Sequence, residues 1–229
     1  MDKITWCKAI EIVKSYVVKI TTPSVSGTGF LCAYTGNKNF CGIATAAHVV
    51  NKSHFWEEPI RIKHFDSGET KLLHKSNRSI ILDAKLDTAV ILFAKGKIPF
   101  PDDTLTFLSE KKYRKAGNEI GWVGFPSVSP NNLCFFTGRI SCWVNDLQSY
   151  LVDGVAINGV SGGPVFYTTT KGIEVIGSVS AYLPNRVGVT PGLAMVSHAE
   201  QFQIVIKTIK NMEDAKRKEA LLKELKKKD

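Results

Sequence analysis

The chain has 229 residues, a formal net charge of +9, and 44% hydrophobic against 22% charged residues. That balance belongs to a globular chain long enough for one large domain or two small ones sharing a core, and it excludes disordered and fibrous classes. No apolar run approaches the roughly 20 residues of a membrane-spanning helix, so no membrane partner is expected. The first residues, Met1-Asp2-Lys3-Ile4-Thr5-Trp6-Cys7, lack a basic segment leading into an apolar block. Five cysteines (Cys7, Cys32, Cys41, Cys134, Cys142) have neither the close pairs of a zinc site nor the density of a disulfide scaffold. Free thiols and a reducing, cytoplasmic setting are the expectation.

In chain order, Ile4 to Tyr16 reads as a short amphipathic helix with Trp6, Ile10 and Val13 on one face. Strand candidates follow at 17–21, 27–32 and 39–45, and then Ala46-Ala47-His48-Val49-Val50 begins a single helical turn. Further short β-branched or apolar runs stand at 60–65, 70–73, 80–82 and 89–93. The charged stretch 110–117 has no periodicity and reads as an exposed crossing. Beyond it the texture repeats, with strand candidates at 119–124, 133–140, 150–152, 164–167, 172–180 and 192–196. Many short strands punctuated by Gly, Pro and Asn predict a barrel or sandwich, not a parallel sheet. From Ala199 the period becomes helical, with Phe202, Val205, Ile206 and Ile209 on one stripe, and a charged extension runs through Leu221, Leu222 and Leu225.

Charge distribution decides against nucleic acid as the main partner. Between Asn211 and Asp229 seven basic residues mix with five acidic ones, which is no phosphate-tracking stripe. The remaining cations are scattered, as on a mildly basic surface that prefers acidic partners.

Three segments carry chemistry. Gly159-Val160-Ser161-Gly162-Gly163-Pro164 sets a serine among glycines, whose backbone freedom lets N–H groups turn toward an incoming carbonyl. By itself that is also turn chemistry. Thr45-Ala46-Ala47-His48 places a histidine just after a strand, where its ring can face a cleft. Asp87 immediately precedes the apolar Thr88-Ala89-Val90-Ile91, so an apolar wall desolvates a carboxylate suited to hold an imidazole by its Nδ1–H. Asp83 is a local rival, but lacks the apolar run directly after it. The other histidines, His54, His64, His74 and His198, read as structural or exposed. The order His48, Asp87, Ser161 is that of a base, the base's partner and a nucleophile.

Together with Gly27-Thr28-Gly29-Phe30, these segments resemble the chymotrypsin-like (trypsin-like) serine proteases, nearer the bacterial Deg-type, high-temperature-requirement branch than the digestive one. The resemblance runs from about Val17 to about Val196. It implies an all-β fold of two antiparallel six-stranded β-barrels, with a short N-terminal helix and a C-terminal helix. The corresponding divisions are 1–109 (first barrel, with His48 and Asp87), 110–117 (crossing), 118–197 (second barrel, with Ser161) and 198–229 (charged amphipathic helix). It implies peptide hydrolysis through an acyl-enzyme, with His48 as base, Asp87 orienting it and Ser161 as nucleophile. The N–H groups of Gly159 and Ser161 would form the oxyanion hole. Neither cofactor nor metal is implied.

The primary pocket implied by the family has Val155 at its floor with Ala156 beside it. Ser180 would support the substrate backbone, Tyr182 narrow the entrance, and Gly192 lie across from it. An apolar floor leaves a buried Arg or Lys unpaired, so a small or medium apolar residue is expected before the scissile bond. Two departures matter. Val160 stands where digestive relatives have an acidic residue, so activation by insertion of a new N-terminus is not expected. The roughly thirty residues after Val196 do not accommodate the PDZ domain usual in the Deg branch; regulation by a protein partner at the C-terminal helix is the expectation instead. A protein or peptide substrate is the expected partner. A silent or partner-activated protease-like binding module, a basic nucleic-acid scaffold and a viral polyprotein protease stay open as alternatives.

Overall fold

The computed structural model describes residues 3–35, 37–109, 112–183 and 193–225. The N-terminal helix α1 (Trp6–Val13) is capped by the Thr5 hydroxyl and ends in a tight 3-10 turn, Lys14–Tyr16. Seven strands follow: β1 (Val17–Thr21), β2 (Ser26–Tyr34), β3 (Phe40–Thr45), then, after helix α2 (Ala47–Phe55), β4 (Ile60–His64), β5 (Thr70–Leu73), β6 (Arg78–Asp83) and β7 (Thr88–Ala94). They form one antiparallel sheet in the order β5-β4-β1-β2-β3-β7-β6. The second unit is built from β8 (Glu119–Gly124), β9 (Cys134–Val144), β10 (Ser149–Gly154), β11 (Pro164–Thr168), β12 (Ile173–Leu183) and β13 (Leu193–His198). It closes as a six-stranded barrel, β10-β13-β12-β11-β8-β9. Helix α3 (Glu200–Leu225) ends the described chain. This is the two-barrel, mostly β architecture expected from the sequence, with one correction: the first unit is a half-barrel sheet of seven strands, since β5 adds to the edge of β4, and only the second closes with six.

Period-two alternation explains most strands. In β4, Ile60, Ile62 and His64 are buried while Arg61 and Lys63 face outward. Strand β2 departs from alternation and is buried along nearly its whole length, because it is covered on both faces. Leu31 enters the core of the first sheet, whereas Phe30 and Cys32 enter a second cluster between the two units. That middle cluster joins Val17, Ala44 and Val90 to Val123, Phe125, Phe166 and Val175, and both α1 (Ala9, Val13) and α3 (Phe202) plug it. A third core, around Trp122, Tyr150 and Ile176, fills the closed barrel.

Helix α2 corrects the single turn expected after His48. It runs nine residues because Val49, Val50 and Ser53 find burial against the first sheet, which a local reading of the sequence does not reveal. Cys134 and Cys142 lie on one strand, β9, and all five cysteines are free. Cys32 and Cys41 are buried, and burial pushes the Cys41 thiol up to about 12. Among the described residues no helix is long and apolar enough to cross a membrane.

His64 and His198 are structural. His64 bonds Ser67 Oγ and the Ser15 carbonyl. His198 bonds the Lys112 carbonyl through Nε2 at 2.9 Å and accepts the Glu200 N–H at Nδ1, against the rings of Trp143 and Tyr150. Burial holds its pKa below the ordinary histidine range, outweighing the Lys112 and Glu200 contacts that act the other way. The unfolded chain therefore takes up a proton first as pH falls. The stability contributed by neutral His198 is present above about pH 6.5, the unfolded value, and is lost as pH drops through the lower folded value. Melting temperature should fall between pH 7 and 5 in the wild type, and a His198→Gln variant should show a flatter profile by calorimetry.

Candidate active site

Strand register brings the histidine and the aspartate together. In the β3–β7 pair Thr45 lies opposite Ala89, so the residues just after β3 and just before β7 emerge at the same sheet end. His48, in the first turn of α2, donates its backbone N–H to Asp87 Oδ1 at 2.9 Å. Its ring Nδ1 lies 3.1 and 2.9 Å from the two carboxylate oxygens. A carboxylate on both contacts makes Nδ1 the protonated nitrogen and leaves the Nε2 lone pair free on the opposite side. Asp87 sits at φ 51°, a left-handed conformation that aspartate tolerates better than most residues. Asp83 serves the backbone instead. Its Oδ1 accepts the Lys85 and Leu86 N–H groups, both at 3.0 Å, and closes the turn that leads into Asp87.

The second barrel adds a third donor. Ser180 is buried and its Oγ donates to Asp87 Oδ2 at 2.5 Å. It gets there through an irregularity in the β12–β13 pair, where the register shifts between Val179 and Ala181. The family resemblance assigns Ser180 only to the substrate backbone; a bulge that aims its hydroxyl at Asp87 has no local signature.

Ser161 lies in the 155–163 loop between β10 and β11. Gly159 (φ 92°) and Gly162 (φ 84°) shape this loop, and neither position has room for a side chain. A Cβ at 159 would sit 2.2 Å from the Phe125 carbonyl oxygen, and one at 162 would sit 2.2 Å from both the Thr28 carbonyl and Thr45 Oγ1. The glycines are thus imposed by close backbone packing, beyond ordinary turn chemistry. Val160 packs in the core of the closed barrel, which accounts for an apolar residue before the serine.

Thr28, in the middle of β2, holds the loop in place. Its Oγ1 donates to the Gly159 carbonyl (2.8 Å) and accepts the Phe125 N–H (3.0 Å). Its own N–H donates to the Ser161 carbonyl (2.8 Å), while Thr45 Oγ1 donates to its carbonyl (2.7 Å). The loop is tied to β12 as well, through Gly162 N–H on the Val179 carbonyl and Val179 N–H on the Gly163 carbonyl. The Gly27-Thr28-Gly29 stretch is visible in the sequence as a motif, but its service as the strut of the serine loop is not.

Ser161, Gly159, Asn158 and His48 line one cavity of about 480 Å³, together with the β1–β2 hairpin. Among the described residues no hydrogen bond joins the Ser161 hydroxyl to the His48 ring. The predicted primary-pocket residues fare differently. Val155 is 47% exposed, whereas Ala156 is buried in the closed barrel's core and does not stand beside an open pocket. Packing in that core turns Ala156 inward, a direction that spacing from Ser161 does not reveal. Gly192 and the Tyr182 side chain fall outside the described residues.

Residues 27–177 match the trypsin-like peptidase domain family. None of the curated proteins matches the chain in sequence. Similar solved structures include an inactive form of Rv3671c from M. tuberculosis H37Rv (18% identity, TM-score 0.62, covering 91% of this chain and 95% of that one). The serine endoprotease from Yersinia pestis is similar at 17% identity and TM-score 0.65, over 92% of this chain and 68% of that one. The HtrA-type protease AlgW, solved with a tripeptide, gives 17% identity and TM-score 0.67 over 90% of this chain and 64% of its own. At such identities the likeness is one of fold.

Thr28→Val keeps the shape but strands the Gly159 carbonyl and the Phe125 N–H. It should destabilise the protein by roughly 1–3 kcal/mol in urea unfolding, while Thr28→Ser stays close to wild type.

Proposed function

The chain belongs to the trypsin-like peptidase family and is a serine protease, and on that premise we propose that Ser161, His48 and Asp87 form its catalytic triad. The observation that carries this reading is the Asp87 carboxylate, which takes His48 Nδ1 and Ser180 Oγ at once beside the cavity that Ser161 shares. In the proposed reaction His48 Nε2 removes the Ser161 proton as Oγ attacks the peptide carbonyl. The imidazolium is stabilised by Asp87 and returns the proton to the leaving amine, and water then repeats the sequence on the acyl-enzyme.

The proposed oxyanion hole consists of the Gly159 and Ser161 N–H groups. Supporting it, the Asn158 carbonyl accepts the Ser127 N–H at 2.7 Å. A trans peptide directs its carbonyl and the following N–H to opposite sides, so this bond turns the Gly159 N–H away from Ser127. Among the described residues neither the Gly159 nor the Ser161 N–H has a protein acceptor. Donors held this way before the reaction would need no inserted N-terminus to assemble them and would spare reorganisation during it.

A fluorophosphonate probe tests whether the serine is activated without knowledge of the substrate. Wild type should label, and Ser161→Ala and His48→Ala should not. Asp87→Asn should react on the order of 10⁴-fold more slowly, as the equivalent change does in another protease of this chemistry. Unlabelled, folded wild type would contradict the triad and favour a binding module.

For specificity we hold to a small or medium apolar residue before the scissile bond, supported by the uncharged, half-exposed Val155. Peptides ending their acyl half in Val, Leu or Ala should be cut at least about tenfold faster than Arg-ended ones, the order of discrimination a pocket obtains from one or two methylenes. Faster cleavage after Arg would refute it.

A further inference from the structure

The cavity holding Ser161 and His48 does not end at the β1–β2 hairpin. Lys19, Thr21 and Phe125 line it and also line a second groove of about 360 Å³, which extends over β4 to Arg61, Lys63 and Phe65. The Phe65 and Phe125 rings, 6.0 Å apart, give this groove an apolar floor. Cations form its rim. In the β1–β4 register Lys19 lies directly opposite Lys63, and Thr21 opposite Arg61.

None of the cross-strand partners of these cations is acidic. The β2 partners of Lys19 and Thr21 are Thr28 and Ser26, and the β5 partners of Lys63 and Arg61 are Thr70 and Leu72. Of the carboxylates nearby in sequence, Asp66 lies 3.9 Å from Lys14, and Glu58 accepts the Ser24 hydroxyl through one oxygen. Lys19 Nζ donates to the Pro130 carbonyl, while the Arg61 and Lys63 side chains have no partner among the described residues. Like charges paired across strands cost stability, and here they are retained beside the reaction centre. An anionic ligand resolves that cost.

Direction follows from the walls. Val155 and Ser180, proposed for the acyl half of the substrate, line neither cavity nor groove, as a surface for the leaving half requires. We propose that the groove is a subsite for acidic side chains in the substrate segment just after the scissile bond, at its second to fourth residues. This rests on the protease reading and adds to it a recognition element on the leaving-group side. Apolar stems of Glu would lie on the phenylalanines while the carboxylates reach Arg61 and Lys63.

The experiment uses quenched peptides sharing one Val-ended acyl half, with Glu-Asp, Ala-Ala or Lys-Lys at the second and third leaving-side positions. Wild type should cut the acidic peptide roughly tenfold faster than the neutral one, the sum of two exposed charge pairs. That preference should shrink between about 0.05 and 0.5 M salt. In Arg61→Gln/Lys63→Gln the acidic-to-basic ratio should fall toward one, and in Arg61→Glu/Lys63→Glu it should invert. Each ratio is read within one preparation, so a partly unfolded variant does not mimic the result. Equal rates for acidic and basic peptides, or a ratio that survives the Gln pair, would overturn the subsite.

A binding arm separates this failure from failure of the protease reading. Fluorescein-labelled leaving halves are titrated onto Ser161→Ala protein, where no turnover is needed. Tighter binding of the acidic half supports the groove even if wild type cuts nothing, and equal binding sinks it while proteolysis stands. A single-stranded oligonucleotide that displaces the acidic peptide more than tenfold better than unlabelled peptide would reassign the groove to nucleic acid and overturn the proposal.

Discussion

The Asp87 carboxylate bridges the two halves of the molecule. It stands on the first sheet, fixes the His48 backbone and ring from the same half, and receives the Ser180 hydroxyl from the second barrel. A charged group only partly exposed to water, it is satisfied by N–H and O–H donors whose placement depends on correct docking of the barrels. Displacement of one barrel against the other would strip the Ser180 donor from the carboxylate and leave its second oxygen to the His48 ring alone. The middle core, plugged by α1 and α3, is what keeps that docking in place. Packing far from the cleft therefore reaches the proposed chemistry through one carboxylate.

A second bridge runs the opposite way. Thr28 belongs to the first sheet yet bonds the carbonyls of Gly159 and Ser161 in the second half, while Phe125 closes the loop on its hydroxyl. Each half thus positions part of the proposed site carried by the other: the second barrel steadies Asp87, and the first sheet steadies the serine loop. The backbone of that loop passes so close to Thr28 and Phe125 that a single β-carbon at 159 or 162 would collide with carbonyl oxygens. This reciprocity makes the proposed site a property of the interface between the barrels.

Electrostatics gives the net charge a local meaning. Scattered along the chain, the basic residues indicate no more than a preference for acidic partners. Folding gathers three of them, Lys19, Arg61 and Lys63, on neighbouring strands at one side of the cleft, and none of their cross-strand partners is acidic. The long helix α3, by contrast, carries its mixed charges along its length and contributes to the core chiefly through Phe202 at its start.

Much of this is legible in the chain. Alternation places the strands, since a half-buried strand must repeat every two residues, as Ile60 to His64 do. The ordered motifs around His48, Asp87 and Ser161 suggest the proposed chemistry, because a carboxylate before an apolar strand, a post-strand histidine and a glycine-flanked serine are each local arrangements. Asp83 and Asp87 are separable by their neighbours alone. What the tertiary structure decides is everything that depends on register or on contact between distant strands. The bulge that sends Ser180 to Asp87, the hold of Thr28 on the serine loop, the full length of α2, the inward turn of Ala156 and the opposition of Lys19 to Lys63 involve partners far apart in sequence or the pairing of strands. Local sequence specifies backbone period and residue chemistry; only packing specifies which distant side chains meet.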